Sequence, residues 1–368
     1  MPNSPCPIPH AQCPILESNS LKSANDLAFL EKAIEKKFRS LTAAVGELVM
    51  PCVPAMLDLH MKQILGLLQG LGINLTPAEI DSLRLSIAKR LAEGFEASPF
   101  SRLVFKYQPP TSTQGLTSGL KLTTSILDKI GIEDKYNRWI KTRSGPLFGS
   151  HPDAKVMAIA ATLTEPSNAP ILDVGAGTGR NTMPLARRGH PVQALELTPA
   201  FAQQILIDAQ KENLPVGVTQ GNVLDRRLYL EQNYYSLAIV AEVIPHLRDL
   251  EQVRTLLAKM CQAVKPGGLL LFNVFLAVDG YEPTDKVRQM AQIAWSYLLT
   301  PKELASVVQG LPLEIKSNES AFEYERAHQA PEAWPPTNWF VSWSTGRNIF
   351  PVEEQPPVEL RWILAVRN

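Results

Sequence analysis

The sequence predicts an α/β protein: a doubly wound, mostly parallel sheet of seven strands, preceded by an all-helical unit. Three observations carry that expectation. From about His151 onward, short apolar runs alternate with helically spaced stretches, the pattern of repeated βαβ units. One such run, Pro170-Ile171-Leu172, leads into Asp173 and then three glycines at every second position, Gly175, Gly177 and Gly179. A turn of that composition bends sharply and lets the backbone approach a ligand that a β-carbon would hold away. Before residue 146, by contrast, the apolar residues recur at helical spacing and no such turn occurs.

Residues 1–20 hold Pro2, Pro5, Pro7, Pro9 and Pro14 among small polar residues, the composition of an extended tail. Residues 21–145 make the helical unit. Leu27, Leu30, Ile34, Phe38 and Leu41 share one helical face, and Ser23 with Asp26 supplies a start signal. Pro51 and Pro54 interrupt, after which Met56 to Leu71 predicts a second helix. Thr76-Pro77-Ala78-Glu79 combines a capping residue, Pro at the first helical position and Glu at the third, so a third helix should begin there. Residues 106–120 are rich in Pro, Thr, Ser and Gly and predict a loop, and Leu122 to Ile130 predicts a further helical piece.

Residues 146–368 carry the sheet. Asp153 to Leu163 should be its first helix. Strands are expected before Asp173, at Val192 to Leu197, around Val218 to Val223, at Tyr235 to Glu242, and at Leu269 to Phe275 after the turn Lys265-Pro266-Gly267-Gly268. Asp279 to Leu299 is an insertion with a helical centre, and Thr300-Pro301-Lys302-Glu303 starts a capped helix. Leu313 to Ala321 and Val358 to Val366 supply the last two strands. Trp334, Trp339 and Trp343 fall between them, and core packing against those strands is a better reading than the lining of a pocket.

Composition limits the partners. Thirty-six basic and 36 acidic residues balance to a net charge of zero, and no basic run stands out, so a nucleic-acid substrate is disfavoured. No apolar stretch approaches the roughly 20 residues of a membrane helix. Cys6, Cys13, Cys52 and Cys261 are scattered without metal-ligand spacing, which points to a reduced, cytoplasmic protein with no metal site.

Two ligands compete for the glycine turn. A dinucleotide fingerprint needs a small residue at position 180, where this chain has Arg180, and the third glycine arrives one residue early. Asp-x-Gly-x-Gly-x-Gly instead resembles the first motif of the class I S-adenosylmethionine (SAM) methyltransferases, which have a Rossmann-like fold. That resemblance implies that Gly175, Gly177 and Gly179 cradle the amino-acid end of the cofactor and that Asp173 helps orient it. Glu196, at the end of the next strand with Leu197 beside it, would accept from the ribose hydroxyls. Asn222, where the family usually has Asp, would accept from the adenine amino group, with the Val223 N–H facing the ring. Ser236 also departs from a common Asp, and the family's last pair of strands is antiparallel. Gly179-Arg180-Asn181, Ala186 to His190, the stretch from Leu299 to Leu304 and Glu325-x-x-His328 are similar to the tellurite-resistance group of these enzymes.

Methyl transfer is an in-line displacement, so the protein's main task is to hold acceptor, methyl and sulfur collinear and dry. Glu242 and His246, after the fourth strand, are the candidate catalytic groups, with helix capping the alternative for His246; Glu242 is also a cofactor candidate. Tyr136, Arg143 and His328 are candidate substrate contacts. The large helical unit suggests a grip on a folded partner, and the overall architecture resembles the phycobiliprotein asparagine N-methyltransferases of cyanobacteria. N-methylation of a protein side chain is therefore the first expectation. A small-molecule acceptor under a helical lid is the second, and an inactive SAM-binding protein the third.

Overall fold

The structure, a computed structural model, describes residues 28, 30–34, 45–108, 121–127, 131–142 and 147–368. The expected tail and most of the first expected helix lie outside the described residues, although 30–34 are helical.

The N-terminal unit is not all-helical. Strands β1 (Gly46–Pro51), β2 (Arg102–Gln108) and β3 (Lys121–Leu127) form an antiparallel sheet in the order β1-β2-β3. β2 thus begins just before the stretch expected to be a loop, and β3 replaces an expected helix. The reason is pairing across distance: Phe105 lies opposite Leu48 on one side and Thr124 on the other, a partnership that no local window contains. The two long helices form as expected, at Leu57–Gly70 and Pro77–Ala97. The second opens with a full capping box: Thr76 N–H donates to Glu79 Oε2 at 2.7 Å and Glu79 N–H to Thr76 Oγ1 at 3.3 Å. Ile64, Leu68, Ile87 and Leu91 of these helices bury against Leu103 and Phe105 of β2.

The second unit holds β4 (Ile171–Val174), β5 (Val192–Glu196), β6 (Val216–Gln220), β7 (Tyr235–Val240), β8 (Val264–Ala277), β9 (Leu298–Leu299), β10 (Leu313–Ser320) and β11 (Val358–Arg367). Seven of them run in the order β10-β11-β8-β7-β4-β5-β6, and the two-residue β9 pairs with β8. The neighbours from β6 to β8 are parallel, whereas β11 is antiparallel to both β8 and β10. β4 lies between β5 and β7, so the chain leaves it in one direction and later returns on the other side. The loops after β4 and β7 therefore part and open a crevice at the strands' carboxyl ends. Arg248 Nη2 donates to Phe95 O at 2.7 Å and Ala55 N–H to Gln289 Oε1 at 2.9 Å, joining the N-terminal unit to the sheet domain beside that crevice. Of the three tryptophans between the last strands, Trp343 is buried in the core and Trp339 packs against it half-buried, while Trp334 packs on Phe340 at 5.9 Å between ring centres.

Candidate active site

The crevice is a cavity of about 370 Å³. Its floor is the turn after β4. Gly175, Gly177 and Gly179 all adopt left-handed φ, at +71°, +56° and +84°, which favours glycine. A β-carbon on Gly175 would stand 2.4 Å from Val243 Cγ2. Asp173 is only 2% exposed and accepts from Thr182 Oγ1 at 2.6 Å. Burial pushes its carboxyl up to about 6, against the pull of the Thr182 hydrogen bond. Glu196 accepts from Gly177 N–H at 2.8 Å and from Thr198 N–H at 2.7 Å, so it fastens the glycine turn to β5 while lining the cavity. Leu197, Asn222 and Val223 line the same cavity. Asn222 Oδ1 already accepts from Leu224 N–H at 2.9 Å. The oxygen expected to meet an adenine amino group is thus shared with a local turn.

Glu242 and His246 follow β7. Glu242 sits at φ +58°, unusual for a non-glycine residue, and its N–H donates to Asn273 Oδ1 at 2.7 Å. Arg180 holds its side chain, donating to Glu242 Oε1 at 3.1 Å and to both oxygens of Asp153 at 2.6 and 3.0 Å. Burial pushes the Glu242 carboxyl up, opposed by the Arg180 guanidinium. The Arg180–Asp153 pair was not foreseen; the only signal was a large cation where the turn tolerates a small residue.

His246 lies in a short turn, Ile244–His246, and its Nε2 is 3.4 Å from the Tyr136 hydroxyl. Burial pushes His246 down to about 4, and the Lys135 ammonium adds to the effect, so the ring is neutral near pH 7. Tyr136 comes from the helix Ile132–Thr142 and packs edge-on to Phe148 at 5.6 Å between ring centres. Phe148 in turn meets Phe201 at 5.4 Å. All three rings line the cavity. Trp295, at 5.2 Å from His246, continues this wall and was likewise not foreseen, because nothing local marks it.

His328 is exposed, stacks on Tyr324 at 4.2 Å and contacts its carbonyl through Nδ1 at 2.8 Å; it does not line this cavity. Ser236 is buried inside β7 and does not line the cavity. Arg143 lies outside the described residues.

The donor set fits SAM. Left-handed glycines allow close backbone approach, two carboxylates (Asp173 and Glu242) face a cavity that would hold a cation, and aromatic faces attract positive charge. Residues 171–268 match the family model described as a methyltransferase domain. The chain is 26% identical over 160 residues to a ubiquinone biosynthesis O-methyltransferase of Rickettsia typhi, covering 40% of this chain and 60% of that one. The corresponding Methylobacterium enzyme is 28% identical over 148 residues, covering 38% and 57%, and the human mitochondrial one 27% over 169 residues, covering 40% and 42%. The chain thus spans about half the length of these relatives. A geranyl diphosphate methyltransferase structure with bound SAM aligns with a TM-score of 0.46 at 15% identity, covering 59% of this chain and 85% of that one. None of these is named for tellurite resistance or for phycobiliproteins. Among the described residues no helix is long and apolar enough to cross a membrane. The glycine turn, the crossover beside it and the family match over β4 to β8 meet at one cavity, and the chain carries a class I SAM-dependent methyltransferase domain.

Proposed function

We propose that this protein transfers the methyl group of SAM to an oxygen of a small-molecule acceptor. The observation that carries the reading is the wall over the cavity. Ile132 and Tyr136 from one helix, with Phe148, line the crevice beside a neutral His246, so apolar rings flank the space that a small acceptor would occupy. The O-methyltransferase names of the relatives support the same reading. Methylating a protein asparagine is supported less. An amide nitrogen needs its resonance opposed by hydrogen bonds after the fourth strand, and there Glu242 is tied to Arg180.

SAM supplies an electrophilic methyl on a sulfonium, and transfer leaves the electron pair on a neutral sulfide. The chain's residues do the rest. Glu196 and the glycine turn fix one end of the cavity, and the rings of Tyr136, Phe148 and Phe201 give it an apolar wall. As the acceptor oxygen gains its methyl, its hydroxyl proton passes to solvent; the His246 ring lines the cavity as a neutral group that orients the hydroxyl, since burial and the Lys135 ammonium disfavour its protonated form. Tyr136 stays protonated, because burial holds its phenol well above the ordinary value, and its hydroxyl steadies His246.

The test is transfer from methyl-tritiated SAM by the full chain in a desalted lysate of the source organism, supplemented with its small-molecule extract. Label should enter the low-molecular-weight fraction. Label confined to a protein band would overturn the reading in favour of a macromolecular acceptor.

A further inference from the structure

A second cavity of about 200 Å³ adjoins the first, and the two share Ile132, His246 and Leu247. Arg248 lines the second cavity and not the first. Methyl transfer needs donor and acceptor in contact, so a molecule seated in the second cavity delivers its near end at the shared His246. We propose that Arg248 anchors the methyl acceptor by a carboxylate in the second cavity, with the hydroxyl to be methylated at the acceptor's other end, beside His246. The inference rests on the methyltransferase reading above and adds to it the charge of the acceptor and the residue that reads that charge.

Arg248 is held in place without being neutralised. Its backbone N–H donates to Gln252 Oε1 at 3.0 Å. Its Nη2 donates to Phe95 O at 2.7 Å, and the guanidinium lies 4.9 Å from the centre of the Phe95 ring. Nε and Nη1 have no hydrogen-bond partner, and the guanidinium has no ion pair, among the described residues. Glu96 is the one acid lining the cavity; it is exposed and forms no ion pair with Arg248. Burial pulls the guanidinium down from its ordinary value, and the Glu96 and Asp249 carboxylates, which act the other way, do not cancel that effect. A half-buried guanidinium in this position has given up water without gaining a counter-charge. Its remaining donors form the planar fork that a carboxylate matches.

The chain itself sets the two ends of the acceptor apart. His246 and Arg248 flank Leu247, which is extended at φ −74° and ψ 163°. The neutral ring therefore faces both cavities, while the guanidinium faces the second alone. The anchored carboxylate stays clear of the methyl group, and the reacting oxygen belongs to a separate hydroxyl. The S–CH3 bond breaks with its electron pair left on sulfur, the O–CH3 bond forms, and the hydroxyl proton leaves to solvent. Phe100 and Trp295, 4.5 Å apart, supply apolar wall for the carbon skeleton between the two ends. Phe95 and Phe100 both come from the N-terminal unit, so that unit aims the guanidinium and builds part of the acceptor's seat.

The test uses the full chain with the sulfide product of SAM bound. Benzoate and benzamide, alike in shape and different in charge, are titrated by calorimetry at pH 7.5. Benzoate should bind the wild type about tenfold more tightly than benzamide. Arg248→Gln should remove that preference, and Arg248→Lys should keep part of it. SAM affinity should hold within about twofold in both variants, since Arg248 does not line the cofactor cavity; the same constancy reports that they fold. In the tritium assay, the labelled low-molecular-weight product should be retained on an anion-exchange resin at pH 7.5. Benzoate binding the wild type no more tightly than benzamide, a preference that survives Arg248→Gln, or a labelled product that passes the resin unretained would each overturn the proposal. Failure of the wild type to bind SAM is a separate result, which sinks the methyltransferase reading itself.

Discussion

Asp173 should make the protein less stable as pH rises through mildly acidic values, and Asp173→Asn should abolish that loss. Burial raises the carboxyl from its ordinary 3.8 to about 6. Between those values the folded protein holds a proton that the unfolded chain has released. Stability contributed by this group is therefore complete below about pH 4 and is lost as pH rises through about 6. The interval corresponds to about 3 kcal/mol, which for a domain of this size is about 6–12 °C in melting temperature. Asparagine cannot ionise, yet its oxygen can still accept from Thr182 Oγ1 as Asp173 does. The extra amide protons add an offset independent of pH, so the slope decides the matter. The measurement is thermal unfolding of both proteins at intervals from pH 4 to 7.5. Glu242 and Glu325, also raised by burial, tilt both curves alike and cancel in the difference. The two curves should diverge by roughly the amount above. Parallel curves would refute the reasoning, because they would mean that Asp173 is as well solvated when charged in the folded state as in the unfolded.

Three further outcomes are expected. Arg180→Met strands the carboxylates of Asp153 and Glu242 in the interior and should cost about 3–5 kcal/mol, read by urea unfolding at pH 7.5. The deficit should shrink as pH falls and the stranded acids take up protons; a loss under about 1 kcal/mol would mean that the cluster relaxes into water. Gly175→Ala places a methyl against Val243 at a left-handed position and should weaken SAM binding more than tenfold in calorimetry, with unchanged affinity counting against the turn as the cofactor cradle. Because His246 is held neutral down to about pH 4, the rate of methyl transfer should show no inflection near 6.5, and a step there would mean that the ring is solvated.

How far the sequence disclosed this protein depends on the range over which each feature is determined. The glycine turn was legible because left-handed φ is a property of single residues, and Gly175, Gly177 and Gly179 have it. Capping boxes at Thr76 and Thr300 were legible for the same local reason. That also explains why the resemblance between residues 299 and 304 carries little about substrate. Thr300 N–H donates to Glu303 Oε2 at 2.8 Å, so those residues make a helix start. Glu325 accepts from Ala154 N–H at 2.7 Å and from Trp362 Nε1 at 3.1 Å, which makes it a core acceptor. What stayed hidden was built from distant pieces: the N-terminal sheet, and the wall in which Phe100, Phe148 and Trp295 join Tyr136, the one of these rings that the sequence singled out. Each of those aromatics alone fits an ordinary core position.

The same division of range bears on the choice of acceptor. The family match begins at β4 and ends in β8, at residues 171–268, and supplies the turn, Glu196, Glu242 and His246. Glu96, Phe100, Gln292 and Trp295, which shape the second cavity, all lie outside that span. The family match therefore covers the cofactor cavity and leaves these residues outside it, and one such cavity can serve enzymes of quite different substrates. The family match thus bears on the cofactor, and the identity of the acceptor turns on the residues outside it.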